Sequence, residues 1–559
     1  MVVRCAKDSL NIHTQTEVSA QIAARFNCSP FQASLLEMRG LTADVMPKEV
    51  ENWLSPYLPR LLEKLDLGAD NANAAALVRG LGPSSDVVVY GDYDVDGISA
   101  TAIAMELALS KGAHVRYFIP HRFNQGYGLH KDVAQVIAKR KCDLVIVVDC
   151  GTQDVESVEI LKKNGIPVVI FDHHLVEGKR AESDTLVNPQ ICGDSTAKRL
   201  CATAVLWCWI WQNELMPRRQ LMKLLDVVAL ATIADCVSLS SSLNRALVRE
   251  GINSIRSKAR PGLNLLMEQL GISPSSIDTE DLAMRVIPCL NAAGRLYLAD
   301  LAVEVLFPGK DLAGKVGKLI ALNRKRRELS TKILEQVDKL ADDKFRYVLT
   351  SDDWSVGVLS SVASRICGDR NAPVALAASV GGTIMRGTLR MPAGGDAVGV
   401  LKQLAPLLNT WGGHRLAAGF SVKMENWQTV REKMEEILSG VKVVGEKEEL
   451  LFWNPANLDM KTWTEASALG PFGMDNPAPM LYAPYNGKMS LSPLGKGGKH
   501  VKVSLGPVSL LAFGAADMFS GGCGWLDGWV YKPRLDTWRN VTSLQFVLEK
   551  MVARESKTE

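Results

Sequence analysis

The sequence lacks any apolar run near the ~18 residues needed to span a bilayer, so no membrane partner is expected. It lacks a charge excess of either sign: 64 Lys and Arg face 61 Asp and Glu, a net +3. Any contact with nucleic acid must therefore use local patches rather than bulk charge. No two of its 11 cysteines form a C-x-x-C pair, and several, such as Cys142, sit in or beside apolar runs. Free thiols in a reducing cytoplasm are expected, not disulfides or a zinc site. The opening MVVRCAKDSLNIHTQTE turns polar after three residues, so a signal peptide is not expected. No internal repeat and no low-complexity tract is visible. What remains is ordinary globular composition, 47% hydrophobic and 22% charged. At about 150 residues per domain, 559 residues suggest three or four domains.

Three short β-branched runs stand out: Val87 to Val89, Leu144 to Val148 and Val168 to Phe171. Continuous short runs of this kind are buried strands of a parallel sheet. Helical stretches separate them, ISATAIAMELALSKG, KDVAQVIAKRK and DVESVEILKKNG, with Gly112 and Gly165 placed as C-caps. The pattern predicts βαβ units and an α/β fold. Residues 1–74 read as a mixed, largely helical segment, 75–305 as the main α/β domain, and 306–345 as a connecting region. Within the last, 310–343 predicts one long charged helix. Residues 346–445 alternate again and predict a smaller α/β domain, with a polar boundary at Gly445–Leu451. Residues 446–559 hold short β-like runs split by Gly and Pro, and five of the chain's twelve tryptophans, which predicts a small β-barrel or sandwich.

The acids sit where the strands end. Asp92, Asp94 and Asp96 follow the first, Asp149 closes the second, and Asp172, His173 and His174 close the third. Ligands of open parallel sheets bind outside the carboxyl ends of the strands. So much like charge on one rim is costly without a cation to neutralise it. Two divalent ions are the natural partner, with mixed Asp and His ligands favouring Mn²⁺ while Mg²⁺ stays open. A lone Asp at a strand end is more often a helix N-cap, and Asp96, before GISATAI, is read that way.

YGDYDVDGISA, VDCG, FDHH and TIADCVSL resemble, in order, the four motifs of the DHH phosphoesterase superfamily. HRFNQGYGL, LNAAGRL, WGGHRLAAGF and LGPFGMDNPAPML are similar to segments of its RecJ-type single-stranded-DNA exonucleases. The resemblance covers roughly residues 75–550. It implies a DHH domain, a DHHA1 accessory domain after a long helix, and a terminal OB-fold. It also implies a two-metal 5′→3′ exonuclease of DNA repair and recombination, with single-stranded DNA as substrate. A single-strand-binding protein and a helicase are implied as partners.

On the same resemblance, Asp92, Asp94, Asp149, His173 and Asp235 match metal ligands. Asp172 orients its neighbours and His174 faces the scissile phosphate. Asn291 and Arg295 match a phosphate-contacting pair. Arg122 grips a backbone phosphate and Tyr127 stacks on a base. Gly412, Gly413 and His414 match the accessory domain's GGH motif, and Thr388 and Arg390 are the nearest equivalents of its 5′-end pocket. Val88 stands where smaller DHH phosphatases carry a histidine, so one metal should be less fully ligated by protein. NRKRR, Asn323–Arg327, and the set Lys496, Lys499, His500 and Lys502 are further candidate strand contacts. Two other readings compete: a DHH phosphodiesterase of short oligonucleotides or cyclic dinucleotides, and a catalytically inactive DNA-binding scaffold.

Overall fold

The computed structural model describes all residues except 1, 43, 69–70, 124, 177, 259, 308, 342–343, 444–446, 496, 521, 539–540 and 555–559. Gly445 and Lys496 thus lie outside the described residues, and of Trp538 only the backbone is described. The chain divides into two compact units, one of Met1–Asn291, Ala299–Val316 and Lys447–Glu559, the other of Ala292–Leu298 and Gly317–Glu446. Among the described residues no helix is long and apolar enough to cross a membrane.

The first unit contains a five-stranded parallel sheet in the spatial order His114–Phe118, Asp86–Tyr90, Leu144–Val148, Val168–Phe171, Thr185–Val187. The three runs expected from sequence are its three central strands. Leu144–Val148 and Val168–Phe171 are buried throughout, as strands covered on both faces must be. Of the two edge strands, His114–Phe118 carries exposed His114 and Arg116 and Thr185–Val187 is only three residues long, which hid both in the sequence. Chain order reverses between Asp86–Tyr90 and Leu144–Val148, which opens the binding crevice of such sheets at that point.

The same unit holds a nine-stranded sheet built mainly from residues after Glu448, which carries the tryptophan-rich segment. Two of its strands come from the other end of the chain. Val3–Ala6 runs parallel to Lys550–Ala553, and Leu10–His13 runs parallel to Glu448–Leu451. Ile22, Phe31, Leu35 and Leu36 from the N-terminal helices share one core with Trp463, Leu481, Trp529 and Met551. The first part of the N-terminal segment therefore folds onto the last domain, while its later part bonds the main α/β domain, where Gln212 donates to the Leu65 carbonyl at 2.7 Å. Trp463 and Trp529 are core residues there, while Trp453 and Trp525 pack half-buried against it.

In the second unit a five-stranded sheet runs Thr410–His414, Ala417–Lys423, Ile384–Arg390, Val374–Val380, Val348–Thr350. The segment read as one element, WGGHRLAAGFSV, is a hairpin. One sheet face packs the helices Ala397–Leu404 and Met424–Ser439. The other packs Val356–Arg370 and, through Ile333 and Val337, the long helix Leu312–Leu340. That helix is the one expected at 310–343.

Candidate functional site

Asp92, Asp94 and Asp149 converge at the carboxyl ends of the two strands flanking the crevice. Their carboxylates form one group able to hold a metal ion, and Asp96, His173 and Asp235 form another. Asp149, His173 and His174 form a third overlapping set. The five sequence-predicted metal ligands are thus brought together.

Backbone geometry fixes this rim. Asp149 adopts a left-handed φ of 61°, sparsely populated for non-glycine residues, and its N–H is held by the Phe171 carbonyl at 2.8 Å. The helix Val95–Ser110 lies directly on the Asp92 backbone. A Cβ on Gly97 would meet the Asp92 N and O at 2.6 Å, so only glycine permits that approach.

Asp94 takes the cap role expected of Asp96 while staying in the metal-holding group. The N-cap of Val95–Ser110 is Asp94, whose Oδ1 accepts from the Asp96 and Gly97 N–H groups at 2.9 and 3.1 Å. Asp96 is not that cap. It is buried, and its carboxylate accepts from the Ala202 and Thr203 N–H groups at 2.8 and 2.9 Å, pinning another helix. Its Oδ2 lies 3.8 Å from His173 Nε2, which makes Asp96 a candidate ligand that sequence reasoning missed. The signal was present in the third acid of DYDVD, but a cap and a ligand look alike in sequence.

His173 stands between carboxylates, Nε2 at 3.4 Å from Asp149 and Nδ1 at 3.7 Å from Asp235. These gaps exceed ordinary N–H···O hydrogen bonds. Burial lowers its pKa, which favours the neutral, ligating imidazole. Burial, then the Asp94 charge, raises the Asp92 carboxyl well above the usual range. Burial, then the charges of Asp96, Asp94 and Asp92, does the same to Asp149. Asp235, which caps the end of the helix Leu225–Ala234, is pushed up to about 8 by burial and then by Asp96 and Asp94. The Asp92 and Asp149 Oδ1 atoms are buried with no hydrogen-bond partner among the described residues. Unpartnered buried carboxylate oxygens beside mutually repelling neighbours fit a cation, so the residues present suit divalent metal.

Asp172 belongs to none of these metal-holding groups. Its Oδ2 accepts from Thr152 Oγ1 at 2.6 Å, and its Oδ1 from the His173 N–H and His174 Nδ1–H, both at 2.8 Å. Burial would raise its pKa, but the His174 hydrogen bond and charge hold it well below the usual carboxylate range. Burial would lower His174, but the Asp172 bond and charge raise it to about 9. In the metal-free protein this favours a cationic His174 at neutral pH. Asn188 joins the network unannounced by the sequence, donating to Thr152 Oγ1 at 3.1 Å and to the His174 carbonyl at 2.9 Å.

Arg122 stacks over Tyr93, 4.9 Å from its ring centroid. Tyr127 is 47% exposed, so its ring can meet a base, but its hydroxyl end is tied down. It lies 3.2 Å from the Asp149 carbonyl, to which it donates, and 3.0 Å from His174 Nδ1. Asn291 and Arg295 share the helix Ile287–Leu296. Among the described residues no hydrogen bond joins Asn291 to the acid cluster, and Arg295 falls in the second unit.

In the second unit, strand register aligns Arg390, Ala417 and His414 in one row and Thr388, Gly419 and Gly412 two rows on. Arg390 is held by Ser364 Oγ at 2.9 Å, Thr388 Oγ1 at 2.7 Å and the Leu389 carbonyl at 2.9 Å. Thr388 is buried and donates to the Ala418 carbonyl at 3.3 Å, so it supports Arg390 rather than presenting its own hydroxyl. A Cβ on Gly412 would point into open space. Gly413, at φ 145°, would place one 2.4 Å from the Ala417 carbonyl. The row is bare backbone beside a fixed guanidinium. On the basic helix stretch, Arg324, Lys325 and Arg327 are exposed. Lys499 and Lys502 are exposed in the terminal domain, while His500 packs against Phe513 and accepts the Gly514 N–H at 2.8 Å.

Comparison with known families and proteins matches three segments. The DHH family N-terminal domain covers residues 86–232, the DHHA1 domain 342–440 and the RecJ OB domain 452–550. The single-stranded-DNA-specific exonuclease RecJ of Haemophilus influenzae is 30% identical over 475 residues, 77% of this chain and 80% of its own. That of Salmonella typhimurium is 29% identical over 566 residues, 93% of this chain and 95% of its own. Among solved structures, RecJ from Thermus thermophilus in complex with Mn²⁺ aligns at a TM-score of 0.80 and 27% identity, covering 98% of this chain and 80% of that one.

Proposed function

Because the chain belongs to the RecJ family of DHH proteins, we propose that it hydrolyses single-stranded DNA from the 5′ end with two divalent metal ions, Mn²⁺ favoured. The observation that carries this reading is the convergence of Asp92, Asp94, Asp96, Asp149, His173 and Asp235 on one rim, with buried carboxylate oxygens left unpartnered. These residues would hold the ions. When bound, divalent ions supply the Lewis-acid charge that phosphodiester hydrolysis needs at neutral pH.

The chain's own groups do the rest. Cationic His174, fixed by Asp172, offsets charge developing on a nonbridging oxygen. Tyr127 keeps the His174 ring in place and offers its exposed face to a base. Arg122, Asn291 and Arg295 serve as phosphate contacts. Arg390, with Thr388 behind it, and the Gly412–Gly413–His414 strand hold the 5′ end. Charge-assisted bonds from a pre-positioned guanidinium suit a terminal phosphate. Domains are read as 1–74 N-terminal segment, 75–305 catalytic, 306–345 connecting helix, 346–445 accessory, and 446–559 strand-binding.

A role in DNA repair and recombination, work beside a single-strand-binding protein and a helicase, and a cytoplasmic location complete the proposal. The OB-domain match and the exposed Lys499 and Lys502 favour long single strands over cyclic dinucleotides. Oligonucleotides labelled at either end, single- and double-stranded, with Mn²⁺ or Mg²⁺, test it. Stepwise loss of a 5′ label from single strands alone is expected. Equal attack on duplex, or turnover without divalent metal, would refute it.

A further inference from the structure

The loop after Asp235 is held from outside the catalytic domain. The Leu239 N–H donates to the Met474 carbonyl at 2.8 Å. Met474 belongs to a tight turn of the terminal domain, closed by Gly473 and Asn476 bonding each other's backbone at 2.9 and 3.1 Å. The turn presses on the loop, since a Cβ on Gly473 would come 2.8 Å from the Leu239 side chain. One residue earlier, the Phe472 carbonyl accepts from Thr279 Oγ1 at 2.7 Å. Thr279 begins the helical stretch that runs through Leu282–Val286 into the helix bearing Asn291.

The turn itself is locked. Asn476 is fully buried and donates to the Leu469 and Pro471 carbonyls, both at 3.0 Å, while its Oδ1 accepts from Arg39 Nε at 2.8 Å. Arg245 donates to the Leu239 and Ser240 carbonyls at 2.9 Å each. Arg249 reaches across to the Ala468 and Gly470 carbonyls at 2.8 and 2.7 Å. The Asp235 loop is therefore clamped between its own following helix and the terminal domain.

We propose that residues 470–476, locked by Asn476, are a positioning element of the metal centre: they set the Asp235 loop and the start of the Asn291 helix, so the terminal domain governs metal affinity as well as strand binding. The inference rests on the exonuclease reading above for its catalytic arm only. A pure fastener between domains would change stability without changing the metal.

The test uses the full chain. Mn²⁺ affinity is measured by calorimetry, and kcat and KM on a short single strand, for Asn476→Ala, Thr279→Val and Thr279→Ser. Groups that orient metal ligands typically matter roughly 10–100-fold. Asn476→Ala should weaken Mn²⁺ binding and lower kcat at the low end of that range, leaving KM within about twofold. Thr279→Val should lower kcat less, and Thr279→Ser should restore it. Unchanged Mn²⁺ affinity and kcat in folded Asn476→Ala would overturn the proposal. If that variant does not fold, equal kcat for Thr279→Val and Thr279→Ser would overturn it instead. Should the wild type leave single strands intact while Asn476→Ala still loses Mn²⁺, the exonuclease reading falls and the positioning role stands.

Discussion

His174 Nδ1–H and Asp172 Oδ1 meet at 2.8 Å, and each shifts the other's titration in the opposite direction. The imidazole, raised to about 9, contributes stability that is fully present below its unfolded value of ~6.5 and is lost as pH rises through about 9. The depressed carboxylate contributes stability present above ~3.9 and lost as pH falls further. In chelator-treated protein, Asp172→Asn should therefore lower Tm more at pH 6 than at pH 10. A Tm difference that does not vary between those values would show that the pair is not ionic.

Metal binding should release protons. At pH 7 the metal-free Asp235, pushed up to about 8, is mostly protonated, and a ligating carboxylate must lose that proton. Mn²⁺ affinity should thus rise with pH toward about 8. The calorimetric enthalpy should depend on the ionisation enthalpy of the buffer, and Asp235→Asn should weaken that dependence. Mn²⁺ should also raise Tm by neutralising Asp92 and Asp149. Asp149→Ala and Asp235→Ala should abolish hydrolysis while retaining the fold, and wild-type turnover in either would remove that residue from the site.

Much of this centre was legible in the sequence because buried parallel strands are continuous apolar runs, and the residues just past the end of such a run lie on the binding rim. Asp92, Asp149 and His173 could be placed that way. Asp96 falls on the same rim but its role was misread as a cap, because capping is decided by which of two acids reaches the N–H groups of residues two and three beyond it, and Asp94 does. The strands Val3–Ala6 and Leu10–His13 were also hidden. They are only four residues each, and their partners lie near the far end of the chain. The clamp on Asp235 falls in the segment LGPFGMDNPAPML, which the sequence singles out, but its contacts are largely to backbone carbonyls, so the pattern does not say what it holds.

That long-range pairing changes what a truncation can test. Removing residues 450–559 would expose Ile22, Phe31, Leu35 and Leu36, which pack with Trp463 and Trp529. The truncated protein should aggregate or lose its N-terminal helices, read by circular dichroism and size exclusion. Lys499→Ala with Lys502→Ala is the cleaner probe of strand binding. It should weaken binding of long single strands and reduce the salt slope, because phosphate contacts are lost. An unchanged slope would remove this surface from the strand path.

A buried ionic cluster supports the helix that ends at Asp235. Arg260 Nε donates to Asp226 Oδ2 at 2.7 Å, and Arg260 also reaches Glu106 and the Leu306 carbonyl. Asp226→Ala leaves that guanidinium buried without its main partner, a change that costs about 3–5 kcal/mol. Chemical denaturation should read a loss of that size. A loss below about 1 kcal/mol, the range of exposed pairs, would mean that water reaches Arg260.

The 5′-end reading of the second unit is the most specific consequence of the proposed function. Arg390 is held at three points, by Ser364, Thr388 and the Leu389 carbonyl, and it shares a register row with His414. Ordering a guanidinium this way lowers the entropy cost of a bidentate contact, so its value should appear only when a terminal phosphate is present. Arg390→Ala should raise KM for a 5′-phosphorylated strand roughly tenfold or more, as expected for a lost charge-assisted contact. It should change KM little for the same strand ending in a 5′ hydroxyl, and Mn²⁺ affinity should stay at the wild-type value. Thr388→Val removes one of the three supports and should give the same pattern at smaller amplitude. Lysine at 390 keeps the charge but not the fork, so Arg390→Lys should recover only part of the phosphate preference. If the variants penalise both ends equally, Arg390 grips the strand along its length instead. Rapid cleavage of a closed circular single strand by the wild type would show that no end is held at all.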